Sequence, residues 1–226
     1  MPCVSATEGA GLWDCVEGRF YPNAGEGEFR LPLPKGYTEV GYIESTKGGG
    51  QYVDTGVTAK TGVKVEARVL WTTESQDSAL IGARNDYSSD TRFFPVWYYN
   101  GALSYGHKTW NQLSGAEVPA NSVVDIVSDF TTAGQVTIKI GSSEYKVTGL
   151  GDAFDTGLTM YLGAGNYGGS VGSGMQGRIF GCKIYEGAEL KRDFVPCVSA
   201  KEGAGLWDCV EGRFYPNKGG TAFNTP

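Results

Sequence analysis

The chain has 226 residues, a formal net charge of −6 and a sequence pI near 4.9, and glycine supplies 35 of its residues. This acidity argues against nucleic-acid binding, which needs a basic footprint, and no run of about 18 apolar residues offers a membrane-spanning helix. Glycine, 13 tyrosines and long Val/Ile/Thr-rich runs suit short strands and tight turns, and no segment keeps i, i+3, i+4, i+7 apolar spacing over a helix length.

One passage occurs twice. Pro2 to Phe29 and Pro196 to Phe223 agree except at Thr7/Lys201, Ala24/Lys218, Glu26/Gly220, Gly27/Thr221 and Glu28/Ala222, and Pro32 matches Pro226 at the same offset. Near-identity at a fixed period marks a tandem duplication. We therefore expect residues 30–223 to form one repeat unit, 1–29 the tail hairpin of the preceding unit, and 224–226 the start of the next linker. Met1 precedes the repeat without an apolar signal region and reads as an expression residue, so any natural targeting signal would lie outside this stretch.

In chain order, Arg30 to Gly36 is a Pro-punctuated linker expected to be extended. YTEVGYIES and QYVDTGV read as strands around the Lys47–Gly50 turn. Val63 to Trp71 is the cleanest strand: Val63, Val65, Ala67, Val69 and Trp71 point one way, and Lys64, Glu66 and Arg68 the other. SALIGAR, RFFPVWYY, ALSYGH, SVVDIVSDF, QVTIKIG, SEYKVTG, LTMYLGAG and GRIFGCKIYEG follow as strands, punctuated at Asn100-Gly101, Ala133-Gly134 and Gly141-Ser142. Lys191 to Val198 is a last strand, and LWDCV then pairs with RFYP across Glu211-Gly212. Roughly a dozen strands in one unit predict an all-β fold of two packed antiparallel sheets.

The order GYTEVGYIES…GGGQYVDTGV, LIGARN, YYNGALSYG, VTIKI, LGAGN and GRIFGCKIYEGAELKRDFVPC, closed by LWDCVEGRFYPNKG, resembles the laminin-G-like, concanavalin-A-like jelly-roll modules of bacterial cell-surface and phage-associated tandem-repeat proteins. The resemblance spans residues 36–217. It implies a curved jelly-roll sandwich, an extracellular or cell-surface location, and a role in adhesion, binding or spacing. Such a fold does not name its ligand.

Cys3 and Cys15 recur as Cys197 and Cys209. In an oxidising compartment each pair would close a small loop pinning the terminal hairpin, with a disulfide worth about 2–4 kcal/mol. The alternative is that all are reduced, buried small hydrophobes. Cys182 reads as a buried thiol, although pairing it with Cys197 would leave Cys209 odd. Zinc is not expected, because no CxxC occurs and His107 is the single histidine.

Catalysis finds no support in the residues. No GxSxG elbow positions a serine, and no strand carries the alternating glutamates that jelly-roll glycanases use as acid and nucleophile. Asp125 and Asp129 come nearest, and a wet strand face accounts for both. We read the chain as a non-enzyme. A lectin-type site needs exposed rings beside polar donors and acceptors. The richest stretch, Arg84 to Trp110, nominates Asn85, Arg92, Trp97, Tyr99, Tyr105, His107 and Trp110 as glycan contacts, with Asn166-Tyr167-Gly168-Gly169-Ser170 as a second rim. Core packing of these rings is the competing reading. A structural calcium on Asp86, Asp90, Asp152 and Asp155 is a further candidate, without EF-hand spacing to support it.

Leu12, Trp13 and Phe20 in the first tail are expected to pack on the following repeat. The function classes left are a glycan-binding or adhesive module, a structural spacer whose hairpin joins consecutive units, and, more weakly, a glycan-active enzyme. The partners implied are a glycan or host-surface ligand and neighbouring repeats.

Overall fold

The computed structural model describes residues 33–46, 50–85 and 91–226, together with the backbone of three strands within residues 1–32. The chain divides into two compact units, Met1–Lys35 and Gly36–Pro226. No described helix is long and apolar enough to cross a membrane.

The first unit holds β1 (Pro2–Ser5), β2 (Gly9–Asp14) and β3 (Arg19–Pro22) in one antiparallel sheet. The second unit is all strand: β4 (Tyr37–Glu39), β5 (Ile43–Ser45), β6 (Val53–Lys60), β7 (Val63–Trp71), β8 (Asp77–Arg84), β9 (Arg92–Tyr99) and β10 (Ala102–Glu117) come first. β11 (Val124–Asp129), β12 (Gln135–Ile140), β13 (Ser143–Thr148), β14 (Asp155–Leu162), β15 (Gly165–Tyr167) and β16 (Ser170–Gly172) follow. β17 (Gly177–Glu186), β18 (Glu189–Ser199), β19 (Gly203–Asp208) and β20 (Arg213–Pro216) close the chain.

These strands form two sheets. One runs β13-β12-β11-β7-β17-β18-β19-β20, with β4 on β18 and β5 on β17; the other runs β10-β9-β8-β14-β6, with the β15–β16 hairpin attached to β8. Pairing is antiparallel except where β15 meets β8. Both sheets feed one core, in which Val63, Val65, Val69 and Trp71 of β7 meet Leu80, Phe93, Val96 and Tyr98 of the facing sheet. The fold is therefore the two-sheet antiparallel sandwich that the strand count and alternation predict. Alternation along β7 leaves Lys64 and Glu66 paired on the outer face at 2.7 Å, and Arg68 reaches Asp125 beside them. Asp129 caps its own turn by accepting from the Thr131 N–H and hydroxyl.

Proline in a central strand removes a ladder hydrogen bond and belongs at bulges. Pro95 lies mid-strand in β9, and both flanking ladders shift register beside it: β8 between Ile81 and Ala83, and β10 between Ser104 and Gly106. The Pro95 carbonyl accepts from Ser128 Oγ of the opposite sheet at 2.7 Å. Gly82, at φ 148°, lets the chains approach, since a Cβ there would meet Phe93 O and the Phe94 ring at 2.4 Å. The Asn100-Gly101 turn from β9 to β10 takes positive φ at both residues, as a primed hairpin turn requires.

The duplicated passage takes one register twice. Pro2 pairs with Leu12 and Gly11 with Pro22, as Pro196 pairs with Leu206 and Gly205 with Pro216. In the second copy Leu206 enters the core, whereas Trp207 faces the other way against Tyr37. The side chains of Leu12, Trp13 and Phe20, like those of Cys3 and Cys15, lie outside the described residues. Asn224, read from sequence as the start of a linker, exchanges backbone hydrogen bonds with Glu44.

The Cys197–Cys209 bridge does not form. Cys197 sits opposite Gly205, and the Cys209 N–H bonds to Asp193 O. The two cysteines are thus offset by the four residues from Asp193 to Cys197, about 13 Å along the strand. A disulfide tolerates roughly 7 Å between Cα atoms. Cys182 and Cys197 are buried thiols. Burial raises both thiol pKa values, that of Cys197 to about 12, with the Glu39 carboxylate adding to it.

Candidate functional site

β9 carries two aromatic sets. Phe93 and Tyr98 point into the core; Phe94, Trp97 and Tyr99 point out through the opposite face of the sheet. There they form a second, smaller apolar cluster with Ala79 of β8, Trp110 of β10 and Tyr167 of β15. Edge-to-face contacts run through it: Phe94–Trp97 at 4.7 Å, Phe94–Tyr167 at 6.1 Å and Tyr99–Trp110 at 5.2 Å. Small residues make the room, since a Cβ on Gly165 or Gly172 would lie 2.6 Å from the Tyr167 ring.

The cluster walls a cleft of about 360 Å³, lined by Asp77, Arg84, Arg92, Phe94, Trp97, Tyr99, Trp110, Tyr167 and Ser173. That volume falls within the range of small-molecule sites. Its polar groups are set in the rings. Trp97 Nε1 donates to Asp77 Oδ1 at 2.8 Å, and the Tyr167 and Ser173 hydroxyls meet at 2.6 Å. The Arg84 guanidinium lies 5.2 Å from the Tyr167 ring centroid. Two donors, Arg92 Nε and Trp110 Nε1, are buried without a hydrogen-bond partner.

Of the sequence-nominated residues, Arg92, Trp97, Tyr99 and Trp110 line the cleft, and Tyr167 joins them from the second candidate rim. Asn85 is exposed at the end of β8, where its N–H donates to Thr91 Oγ1. Asn166 is buried and braces the rim: its amide donates to Thr159 O and its Oδ1 accepts from the Gly169 N–H.

Tyr105 and His107 do not join the cleft. Both lie within the sandwich core or at its margin, Tyr105 near Phe130 at 5.9 Å and His107 stacked on Phe130 at 6.0 Å. A register shift between Ser104 and Gly106 interrupts the period-2 alternation in this part of β10. His107 is 5% exposed. Burial lowers its pKa, with the Lys108 charge adding to the effect and backbone hydrogen bonds at His107 and Leu150 opposing it.

Asp77, Phe94 and Ser173 escaped the sequence reading. Asp77 opens β8 and Ser173 follows β16, so no local spacing joins them to the aromatic run. Phe94 could have been found only by expecting Pro95 to break the alternation. Among the described residues no group of three or more His, Cys, Asp or Glu could hold a metal ion. Asp155 caps Gly157 from an exposed position, Asp152 is exposed, and Asp86 and Asp90 lie outside the described residues.

No known protein family and no curated protein matches the chain in sequence. In three dimensions it is similar to the CBM40 module of the Ruminococcus gnavus IT-sialidase, solved bound to α2,3-sialyllactose: TM-score 0.53, 15% identity, 66% of this chain and 90% of that one. It is also similar to a Bacteroides ovatus protein described as carbohydrate-binding, with TM-score 0.58, 11% identity, and coverage of 83% of this chain and 60% of that one. At these identities the likeness is one of fold, and it agrees with the all-β sandwich.

Proposed function

We propose that the chain is a non-catalytic glycan-binding module of an extracellular or cell-surface tandem-repeat protein, and that the cleft on the outer face of the β8–β9–β10 sheet is its sugar site. The observation that carries this reading is the meeting of Trp97, Tyr99, Trp110 and Tyr167 with Asp77, Arg92 and Ser173 in one cleft. Sugars present apolar C–H faces that stack on rings and hydroxyl rims that need donors and acceptors. Asp77 is the one carboxylate among the described lining residues, and it already accepts from Trp97. Hydrolysis by the usual route needs two carboxylates about 5–10 Å apart, so the cleft suits binding.

A glycan array probed with the intact chain tests this. Trp110 is only half-buried, so Trp110→Ala should spare the fold while lowering affinity by about 10-fold or more, the worth of one stacked ring at a desolvated site. Absence of signal on a broad array, at protein concentrations up to millimolar, would overturn the reading.

The repeated hairpin, with the same register in both copies, favours a second role beside the first. Consecutive units would be joined by this hairpin, with Leu12, Trp13 and Phe20 packing on the next unit. Hydrogen exchange tests that role: protection of amides in residues 2–22 should depend on the presence of residues 36–226.

A further inference from the structure

We infer that the outer face of the same sheet holds a second sugar subsite beside the cleft, built from Tyr52, Asp54 and Tyr161. Its ligand is a neutral oligosaccharide chain long enough to reach both places. The inference rests on the cleft being a glycan site, and three observations carry it further.

The first is placement. Val53, Met160 and Leu162 point into the core. Alternation therefore turns Asp54 of β6 and Tyr161 of β14 outward, and these two are cross-strand partners. Phe94, Trp97 and Tyr167 gather on that same outer face. Along β8, Gly82 stands beside Tyr161 and Arg84 beside Tyr167. Two residues of one strand thus separate the two tyrosines, about 7 Å along the strand direction. Consecutive rings of a sugar chain can cover that span.

The second is what lies between them. The Gly169 carbonyl oxygen of the β15–β16 turn is 3.5 Å from the Tyr161 hydroxyl, and the Gly168 N–H donates to Arg84 O. Gly168 and Gly169 are both exposed, with φ of 62° and 94°. Glycine takes these angles freely, and a turn of two glycines sets no side chain of its own between the tyrosines.

The third is chemistry. Tyr52 stacks on Tyr161 with ring centroids 4.3 Å apart, and neither ring joins an apolar cluster of the fold. Tyr161 is buried, whereas Tyr52 is only half-buried, so the stack keeps part of its upper ring in water. A ring braced by another ring is a rigid apolar platform for the C–H face of a sugar. Asp54 Oδ1 accepts from the Gly56 N–H at 3.1 Å. A carboxylate has about four lone-pair sites, so Asp54 can still accept from sugar hydroxyls. Burial raises the Tyr161 pKa, and Tyr52 and Asp54 beside it add to the rise, which keeps the hydroxyl protonated as a donor. A carboxylated sugar would meet Asp54 as a like charge, so the subsite suits a neutral unit.

Calorimetry on the intact chain with sugars of graded length tests the inference. The probes are gluco-, galacto-, manno-, xylo- and N-acetylglucosamine chains of one to six units, with oligogalacturonates as the charged counterpart. Within a neutral series that binds, the longest chains should bind about 5-fold or more tighter than the shortest, the worth of one further stacked ring. Tyr52→Ala should remove that difference and leave the shortest binding sugar unchanged. Trp110→Ala, in the cleft, should weaken every length alike. Affinity independent of length in the parent chain would overturn the second subsite and leave the cleft standing. So would an equal loss for short and long chains on Tyr52→Ala, which would make Tyr52 part of the scaffold. An equal rise with length among the oligogalacturonates would overturn the assignment to neutral sugars. Failure of every series to bind would overturn both readings.

Discussion

Arg92 and Arg192 are both strand arginines withdrawn from water, and the chain surrounds them differently. Arg192, 9% exposed on β18, has its donors met on several sides. Nε donates to Thr55 O at 2.8 Å, and Nη1 donates to Lys191 O and Glu211 Oε1 at 2.7 Å. Asp208, fully buried, stands 3.6 Å away, and the Tyr215 ring lies beneath the cation. Asp208 in turn accepts from the Asp193 and Val210 amides, and the Tyr215 hydroxyl donates to Glu211 at 2.6 Å. That network binds β6 to β18, β19 and β20. Arg92 faces a second arginine across the ladder and leaves Nε unmatched. Burial alone therefore says little about an arginine's role. Arg192 ties strands together through its contacts, whereas Arg92 opens on the cleft with its Nε unmet.

The largest effect expected from this contrast is on the terminal hairpin. Arg192→Met would keep most of the apolar stem but strand the Asp208 carboxylate at zero exposure. Breaking a buried pair from one side costs about 3–5 kcal/mol, because the remaining charge stays desolvated. Urea denaturation should show that loss, while sugar affinity per folded molecule stays at the parent value. A loss below about 1 kcal/mol would remove the distinction between the two arginines.

Acid should act on the same network. The Tyr215 hydroxyl bond, aided by the Arg192 and Arg213 charges, lowers the Glu211 pKa despite an opposing burial effect. A carboxylate with a depressed folded pKa contributes its stability above the unfolded value of about 4.5 and loses it as pH falls through the folded value.

Parts of this contrast were legible in the sequence and parts were not. The wet and dry faces of β7, the β19–β20 pairing and the split of Trp97 and Tyr99 from Tyr98 follow from period-2 alternation, which holds wherever the ladder is regular. Tyr105 and His107 were nominated only as members of one residue-rich stretch, and the register break at Ser104–Gly106 falls at Tyr105, between His107 and the β9–β10 turn. The Pro95 ring and the φ of Gly82 cause a matching break in β8, and neither announces its register shift in composition. The cysteine spacing suggested a closed loop, but ladder register, not spacing, decides which residues stand opposite. The Arg84–Arg92 pair was hidden for the same reason: strand pairing across an intervening loop makes them neighbours.

His107 offers an intermediate effect. Its Nδ1 is buried without a hydrogen-bond partner, yet it faces Phe130 and Phe154, not the cleft. The groups around it are the Lys108 ammonium, the Thr61 hydroxyl at 3.5 Å and the Leu150 backbone. These surroundings suit a neutral imidazole. With the folded pKa below the unfolded value of about 6.5, the unfolded chain binds the extra proton first, so stability falls as pH drops below about 6.5. The slope is at most that of one proton, about 1.4 kcal/mol per pH unit. Thermal melts of His107→Gln from pH 7.5 to 5.0 should lose this component, and an unchanged slope would show that the imidazole is not its source.

The smallest effect is the most discriminating. Arg92→Met preserves the apolar stem that packs along Phe94 and Gly106, where a Cβ on Gly106 would come 3.3 Å from Arg92 Cγ. It removes a guanidinium whose Nε has no hydrogen-bond partner. Cross-strand charge pairs contribute about 0.2–1 kcal/mol, so the variant should match the parent in urea or gain up to about 0.5 kcal/mol. Ordinary structural arginines do not behave so, and Arg192→Met under identical conditions supplies the control. If Arg92→Met instead loses more than about 1 kcal/mol, Arg92 is part of the scaffold, and its unmet Nε is a cost of packing with no ligand implied. If stability holds while glycan affinity falls, Arg92 serves the cleft and not the scaffold.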